Sequence, residues 1–169
     1  MNILSPGPGV GGHCIAVDPW FLAGDYPEQA KLIRQARLIN EGMPDYVLER
    51  VYHIMEKENR NDYERIGFYG LSYKENVDDV RESPTLQAIE SMRRHLSRPP
   101  KCYDPLVLKD VAEEQYHDLT GFLADVDVVI VMVRHDRLLK EAAYFSRKII
   151  LDTRNCGDIW PQDNRVYPL

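Results

Sequence analysis

The sequence has no excess of basic residues. Its 21 Lys and Arg are outnumbered by 27 Asp and Glu, for a formal net charge of −6. No basic stripe marks a nucleic-acid footprint, so no nucleic-acid partner is expected. General steering of anions is equally weak, so any phosphate must be held locally. There is no apolar run long enough to span a bilayer and no leader-like start. No membrane partner is therefore expected, and a cytoplasmic location is. Cysteine is scarce: Cys14, Cys102 and Cys156 are an odd number at no metal spacing. That fits a reducing compartment without structural disulfides. The five histidines form no H-x-x-x-H pair with an acid, so no metal site is expected. Repeats and low-complexity segments are missing too. What remains is 169 residues, 44% hydrophobic and 28% charged, enough for one ordinary core.

Glycine and proline are concentrated at one place. Pro6-Gly7-Pro8-Gly9-Val10-Gly11-Gly12-His13-Cys14 sets four glycines and two prolines ahead of one cysteine. Glycine admits positive φ and close approach by a ligand, and proline stiffens the path. Such a loop presents a thiol at an exposed spot. Asp18 follows Cys14 by four residues, so one helical turn would bring its carboxylate to the thiol's face. A thiol beside a carboxylate suits covalent chemistry on a carbonyl; the alternative is a buried structural cysteine in a turn. Gly7, Gly9 and Gly12 also spell G-x-G-x-x-G. A dinucleotide fingerprint needs a strand before it and a helix after it, and Pro6 and Pro8 spoil a strand here, so the match is rejected.

The remaining chain reads as a polar break over Leu22 to Pro27, then two helices, then a small α/β unit. Leu32, Ala36, Ile39 and Met43 form one apolar stripe, predicting a helix over Glu28 to Glu41. Gly42 and Pro44 mark a break. Asp45 caps a second helix to Glu58, with Val47, Val51, Ile54 and Met55 on one face. These stripes are core or interface; Asn40 and Glu41 receive no chemical role. After a polar linker, Ile66–Gly70 is a short strand. Ser83-Pro84 opens a helix with Leu86, Ile89, Met92 and Leu96 inside. Lys101–Tyr103 is a second strand, Thr120–Ala124 a short helix, and Val126–Val133 an apolar central strand. Asp136–Tyr144 is a helix and Lys148–Asp152 a strand. The tail from Asp158 is loop plus one short edge element. The fold class is α/β: a small parallel Rossmann-like sheet flanked by helices, preceded by the two helices of residues 28–58.

Ligands of open α/β sheets lie beyond the carboxyl ends of the strands. Three loops fall there. Gly70 to Ser83 leads into a helix N-terminus and carries Tyr73, Lys74 and Arg81. Asp104-Pro105 ends the second strand and reads as a structural turn. Asp152-Thr153-Arg154-Asn155 follows the last apolar strand; Arg154 meets a ligand there or only a neighbouring acid. By its residues alone the first loop reads as a solvated charged loop; chemically, Lys74 suits a point contact to oxygens and Arg81 a forked grip on an anion. Cys102 and Cys156 read as buried or incidental.

The string GPGVGGHCIAVDPWF resembles the catalytic-cysteine signature Gly-Gly-x-Cys-x-x-x-Asp of the UDP-glucose/GDP-mannose dehydrogenases. With His13 where the UDP-glucose branch has Ser, it is most similar to the branch that oxidises UDP-N-acetyl-D-mannosamine. Asp79-Val80-Arg81-Glu82-Ser83 matches a second family stretch, and the likeness runs along essentially the whole chain. The resemblance implies oxidation of a nucleotide sugar's C6 alcohol to a carboxylate with NAD as cofactor, for polysaccharide biosynthesis. The aldehyde is held as a thiohemiacetal and released from a thioester. It implies Cys14 as nucleophile, with Asp18 positioning water or assisting proton transfer. Ser5, Gly7, Gly9, Val10 and Gly11 are assigned to the substrate through backbone N–H groups, with Tyr73, Lys74 and Arg154. Cys14, Ile15 and Arg81 are assigned toward NAD. The implied organisation is a cysteine loop at 1–27, linking and dimerisation helices at 28–59 and a UDP-binding domain at 60–169, with a homodimer through 28–58. The family's NAD-binding part precedes the cysteine loop, so the chain is expected to be a truncated form, a proteolytic product or part of a split gene, inactive by itself. UDP-N-acetylglucosamine, UDP-glucose and GDP-mannose remain open as substrates. The alternative is a stand-alone nucleotide-sugar binding or regulatory module without catalysis.

Overall fold

The computed structural model describes residues 6–94 and 98–169. Ser5 and Leu96, both named above, lie outside them. Six parallel strands form one sheet in the order β3-β2-β1-β4-β5-β6. They are β1 (Ile66–Tyr69), β2 (Lys101–Tyr103), β3 (Gln115–Tyr116), β4 (Val128–Val131), β5 (Ile149–Asp152) and β6 (Arg165–Pro168). Every residue of β1, β4 and β5 is buried, as continuous apolar strands covered on both faces must be. Register is even, with Ile66 opposite Val128 and Val128 opposite Ile149. β3 is a two-residue strand that the sequence reading missed, too short to show a period. β6 is the edge element expected in the tail.

The strands' alternation sorts the core into two layers. Ile66, Phe68, Val128, Ile130, Ile149 and Leu151 pack under α3 (Met43–Lys57) and α4 (Pro84–Arg93). Tyr69, Tyr103, Val129, Val131 and Ile150 pack under α5 (Leu119–Asp125) and α6 (Asp136–Glu141). Gly67 lies on the second face because a Cβ there would meet Phe122 and Val126 at 2.6 Å. Ser83 caps α4 as expected: its hydroxyl accepts from the Leu86 N–H, and Pro84 starts the helix.

Several boundaries differ from expectation; the central strand, expected over Val126–Val133, is β4 at Val128–Val131. The polar break over Leu22 to Pro27 is helical as far as Asp25, in α1 (Cys14–Asp25), with Ala16 and Ala23 buried. Pro19 sits inside α1. α2 (Lys31–Glu41) begins three residues after the predicted start. Pro44 does not break the chain, because it stands in the first turn of α3, where no N–H is required; Gly42, not Asp45, is the cap residue. Asp45 instead accepts from the Ser91 hydroxyl on α4. The two apolar stripes have opposite fates. Val47, Val51, Ile54 and Met55 of α3 are buried, whereas Leu32 is 82% and Ile39 60% exposed on α2.

Candidate functional site

Cys14 opens α1, where N–H groups lack intrahelical partners and an oxyanion finds donors. The thiol is exposed, with the His13 Nδ1 3.8 Å from Sγ. Asp18 lies one helical turn on and is also exposed. The structural reading of Cys14 as a buried turn cysteine therefore fails, while Cys102 and Cys156 are buried as expected. Burial pushes both of those thiols up to about 12, far from a reactive range.

The loop before Cys14 is clamped from two sides. Val10 donates its N–H to the Asn40 Oδ1 at 2.8 Å, and the Asn40 amide returns a bond to the Val10 carbonyl at 3.2 Å. The Val10 N–H is thus already used, so the expectation of that donor for a ligand is corrected. Asn40, left without a role by sequence reasoning, is what holds the loop; its neighbour Glu41 accepts from the Trp20 indole at 2.7 Å. On the other side Gly12 donates to the Arg81 carbonyl at 3.0 Å. A side chain at Gly11 would run into the Glu82 carbonyl, and one at Gly7 into the Arg154 guanidinium. These glycines let the cysteine loop lie directly on the two strand-end loops.

The strand-end side holds a cleft of about 770 Å³. Arg134 and Arg154 line it at the ends of β4 and β5, Met43 and Tyr46 of α3 form a wall, and Pro6 and Gly7 a rim. Arg154 reaches Glu75 at 3.3 Å, tying the loop after β5 to the loop after β1. Asp152 is turned inward, accepting from the Arg154 and Cys156 N–H groups and the Trp160 indole. Beside the cleft, Tyr73, Lys74 and Glu75 share a smaller recess with Gly9, Pro84 and Arg154. Lys74 is exposed. Arg134 was missed by sequence reasoning; the usable signal was its place just past an apolar central strand.

Arg81 is engaged within its own loop. Its guanidinium grips the Asp79 carboxylate with contacts from 2.5 to 3.0 Å, and the hydrogen bond from Arg81 holds the Asp79 carboxyl below its usual range. The Asp104-Pro105 turn is structural, as expected. Asp104 is buried and accepts from the N–H groups of Leu71, Ser72, Leu106 and Val107. Burial favours its neutral form, but the His135 ring and those backbone donors outweigh it and hold the carboxyl below its usual range. No group of three His, Cys, Asp or Glu residues among the described residues is placed to hold a metal. No helix among them is long and apolar enough to cross a membrane.

Comparison with known proteins finds one family along the chain. The UDP-binding domain of the UDP-glucose/GDP-mannose dehydrogenase family matches residues 67–159, and the central domain of the same family matches residues 1–42. The chain belongs to that family. It is 35% identical to the UDP-N-acetyl-D-mannosamine dehydrogenase of Methanocaldococcus jannaschii, over all of this chain and 40% of that protein. It is 39% identical to an NDP-N-acetyl-D-galactosaminuronic acid dehydrogenase of Ralstonia nicotianae, over 91% of this chain and 37% of that one. Among solved structures, the UDP-N-acetyl-mannosamine dehydrogenase of S. aureus superposes with a TM-score of 0.81 at 35% identity, covering 99% of this chain and 40% of that chain. The chain thus spans about two fifths of the length of the relatives it matches.

Proposed function

We propose that this chain supplies the nucleophile and the nucleotide-sugar site of a UDP-N-acetyl-D-mannosamine 6-dehydrogenase. One observation carries the reading: the loop ending at Cys14 is seated on the loop after β1 and on Arg154 of the loop after β5, and its Pro6 and Gly7 rim the cationic cleft that Arg154 lines. A diphosphate in the cleft would meet Arg134 and Arg154, replacing the Glu75 carboxylate that Arg154 now holds, and would reach Lys74 from the adjoining recess. Tyr46 and Tyr73 offer ring faces to a base. Gly7, Gly9 and Gly11 let the sugar approach the backbone closely. Retention of this whole set together favours the enzyme over a binding module without catalysis.

Cys14 then adds to the aldehyde carbon. Its sulfur–carbon bond forms, and the aldehyde oxygen takes up a proton, giving the thiohemiacetal. Passage from the thiohemiacetal to a thioester loses a hydride, which NAD held outside the described residues would accept; Asp18 would then take a proton from an incoming water, and the Cys14 sulfur would leave as the carboxylate forms. The described residues do not fit NAD by themselves. No strand among them precedes a G-x-G-x-x-G turn, and the Arg81 guanidinium is already held by Asp79. The described residues are therefore assigned no step through the cofactor, and the isolated chain should reduce no NAD. The same reading includes a homodimer built on the helices of residues 28–58.

Calorimetric titration with UDP and with UDP-N-acetyl-D-mannosamine tests the site. Both should bind, and Lys74→Ala and Arg154→Ala should each weaken binding about tenfold or more, the worth of one charge-assisted contact. Absence of binding by either ligand, or equal binding by both variants, would overturn the reading.

A further inference from the structure

The sheet order reverses between β1 and β4, where open α/β sheets commonly place a ligand. Here that crevice is filled by three side chains from three loops. Ser72 follows β1, Asp104 follows β2 and His135 follows β4, and all are buried. The His135 Nε2 lies 3.2 Å from the Asp104 Oδ2 and 3.4 Å from the Ser72 Oγ. Its Nδ1 lies 3.0 Å from the backbone nitrogen of Asn76. That N–H can only donate, so Nδ1 is the acceptor and the ring hydrogen resides on Nε2, shared by Asp104 and Ser72.

A serine, a histidine and an aspartate together invite a hydrolase reading, which the geometry excludes. Asp104 and Ser72 meet the same ring nitrogen, whereas a nucleophilic triad needs them on opposite nitrogens. The Ser72 hydroxyl donates to the Lys74 carbonyl at 2.8 Å instead. The bonds converge on one stretch of backbone. Asp104 holds the N–H groups of Leu71 and Ser72 at its start, Ser72 braces Lys74, and His135 holds Asn76 at its end. Asn76 has φ +59°, and its side chain accepts from the Asp136 N–H at 2.9 Å. Between the two anchor points stand Tyr73, Lys74 and Glu75.

We propose that His135 and Asp104 are positioning residues, which fix the Leu71–Asn76 segment in the shape that presents Tyr73 and Lys74 to the nucleotide sugar. This rests on the assignment of the strand-end cleft above. The imidazole does so as an acceptor at Nδ1, aimed at one N–H. Two substitutions separate its two nitrogens. Asn at 135 keeps an acceptor near the Nδ1 position and loses the reach to Asp104. Gln keeps a donor near Nε2 and loses the Nδ1 acceptor.

The test combines amide hydrogen exchange at Asn76 with UDP titration of the chain and its His135→Gln and His135→Asn variants. In His135→Gln the Asn76 amide should exchange at least about tenfold faster, as expected for a lost buried hydrogen bond. Its UDP affinity should fall about tenfold, while His135→Asn stays within about threefold of the parent on both readouts. Equal losses in the two variants, or unchanged UDP affinity in a His135→Gln chain whose Asn76 amide is released, would overturn the proposal. If the parent chain takes up no UDP, the cleft assignment falls. Unchanged Asn76 exchange in His135→Gln would then refute the anchoring separately. Nitrogen chemical shifts of the parent's His135 need no variant: an unprotonated Nδ1 and a protonated Nε2 are expected, and the reverse tautomer overturns the proposal.

Discussion

Asp104 shows how much a single side chain can organise. One buried carboxylate serves four backbone N–H groups and an imidazole. Asp104→Ala would leave those donors unpartnered and should cost at least about 3 kcal/mol in urea unfolding. Its native carboxyl is held below the usual range, so the sign of its pH dependence follows. The contribution is complete above the ordinary aspartate value near about pH 4 and is lost as pH falls through the lower native value. The stability gap between the parent and Asp104→Ala should therefore narrow on acidification below about pH 4. A gap that stays constant there would show that Asp104 does not titrate against the fold. Cys14 acts differently, because no part of the strand-end cleft includes its side chain. Cys14→Ser should leave UDP affinity unchanged. In an enzyme that carries this chain with an NAD-binding part it should stop carboxylate formation, since a serine hydroxyl is a poor nucleophile at neutral pH. Undiminished uronate production would remove Cys14 from the mechanism.

Among the elements, those with strong local signals were legible. The apolar run around Val128–Val133 is the central strand, and Ser83-Pro84 is the start of α4, because a cap and a ring constraint act within one turn. Elements without such signals were not. β3 has two residues and exists only because Cys102 and Tyr103 offer a partner in register. The polar break expected over Leu22 to Pro27 is helical as far as Asp25, although Gly24 argues locally for a break. Burial of Ala16 and Ala23, and the Trp20–Glu41 hydrogen bond to α2, outweigh that preference. The α2 stripe reads like any amphipathic helix, yet its buried residue is Arg37 and its large apolar side chains face outward. Periodicity reports that a face is apolar without saying what covers it.

For the whole molecule, that outward face bears on assembly. The α3 stripe is consumed by the core under the sheet, so it cannot also be an interface. A dimer through residues 28–58 must therefore use α2, with Leu32 and Ile39 as its most exposed apolar side chains and Phe21 and Tyr26 of the adjoining α1 segment, 66% and 58% exposed, at its margin. An isologous contact would bury this patch on both copies. Light scattering should give a dimer for the parent and a monomer for the double variant Leu32→Glu, Ile39→Glu. A parent that stays monomeric at high concentration would count against the assembly.

The sequence by itself determined the chemistry available: a thiol behind a glycine-rich loop, cations at strand ends, and apolar runs that close into a parallel sheet. These are properties of residue type and short spacing, and they survive in any one-dimensional reading. Tertiary structure decided which groups meet. Asn40 holds Val10 across thirty residues, Arg154 reaches Glu75 across seventy-nine, and His135 reaches Asn76 across fifty-nine. No local rule connects such pairs. The last two form because parallel strands deliver their carboxyl ends to one edge of the sheet, so loops far apart in the chain end side by side, and the first because α1 folds back along α2.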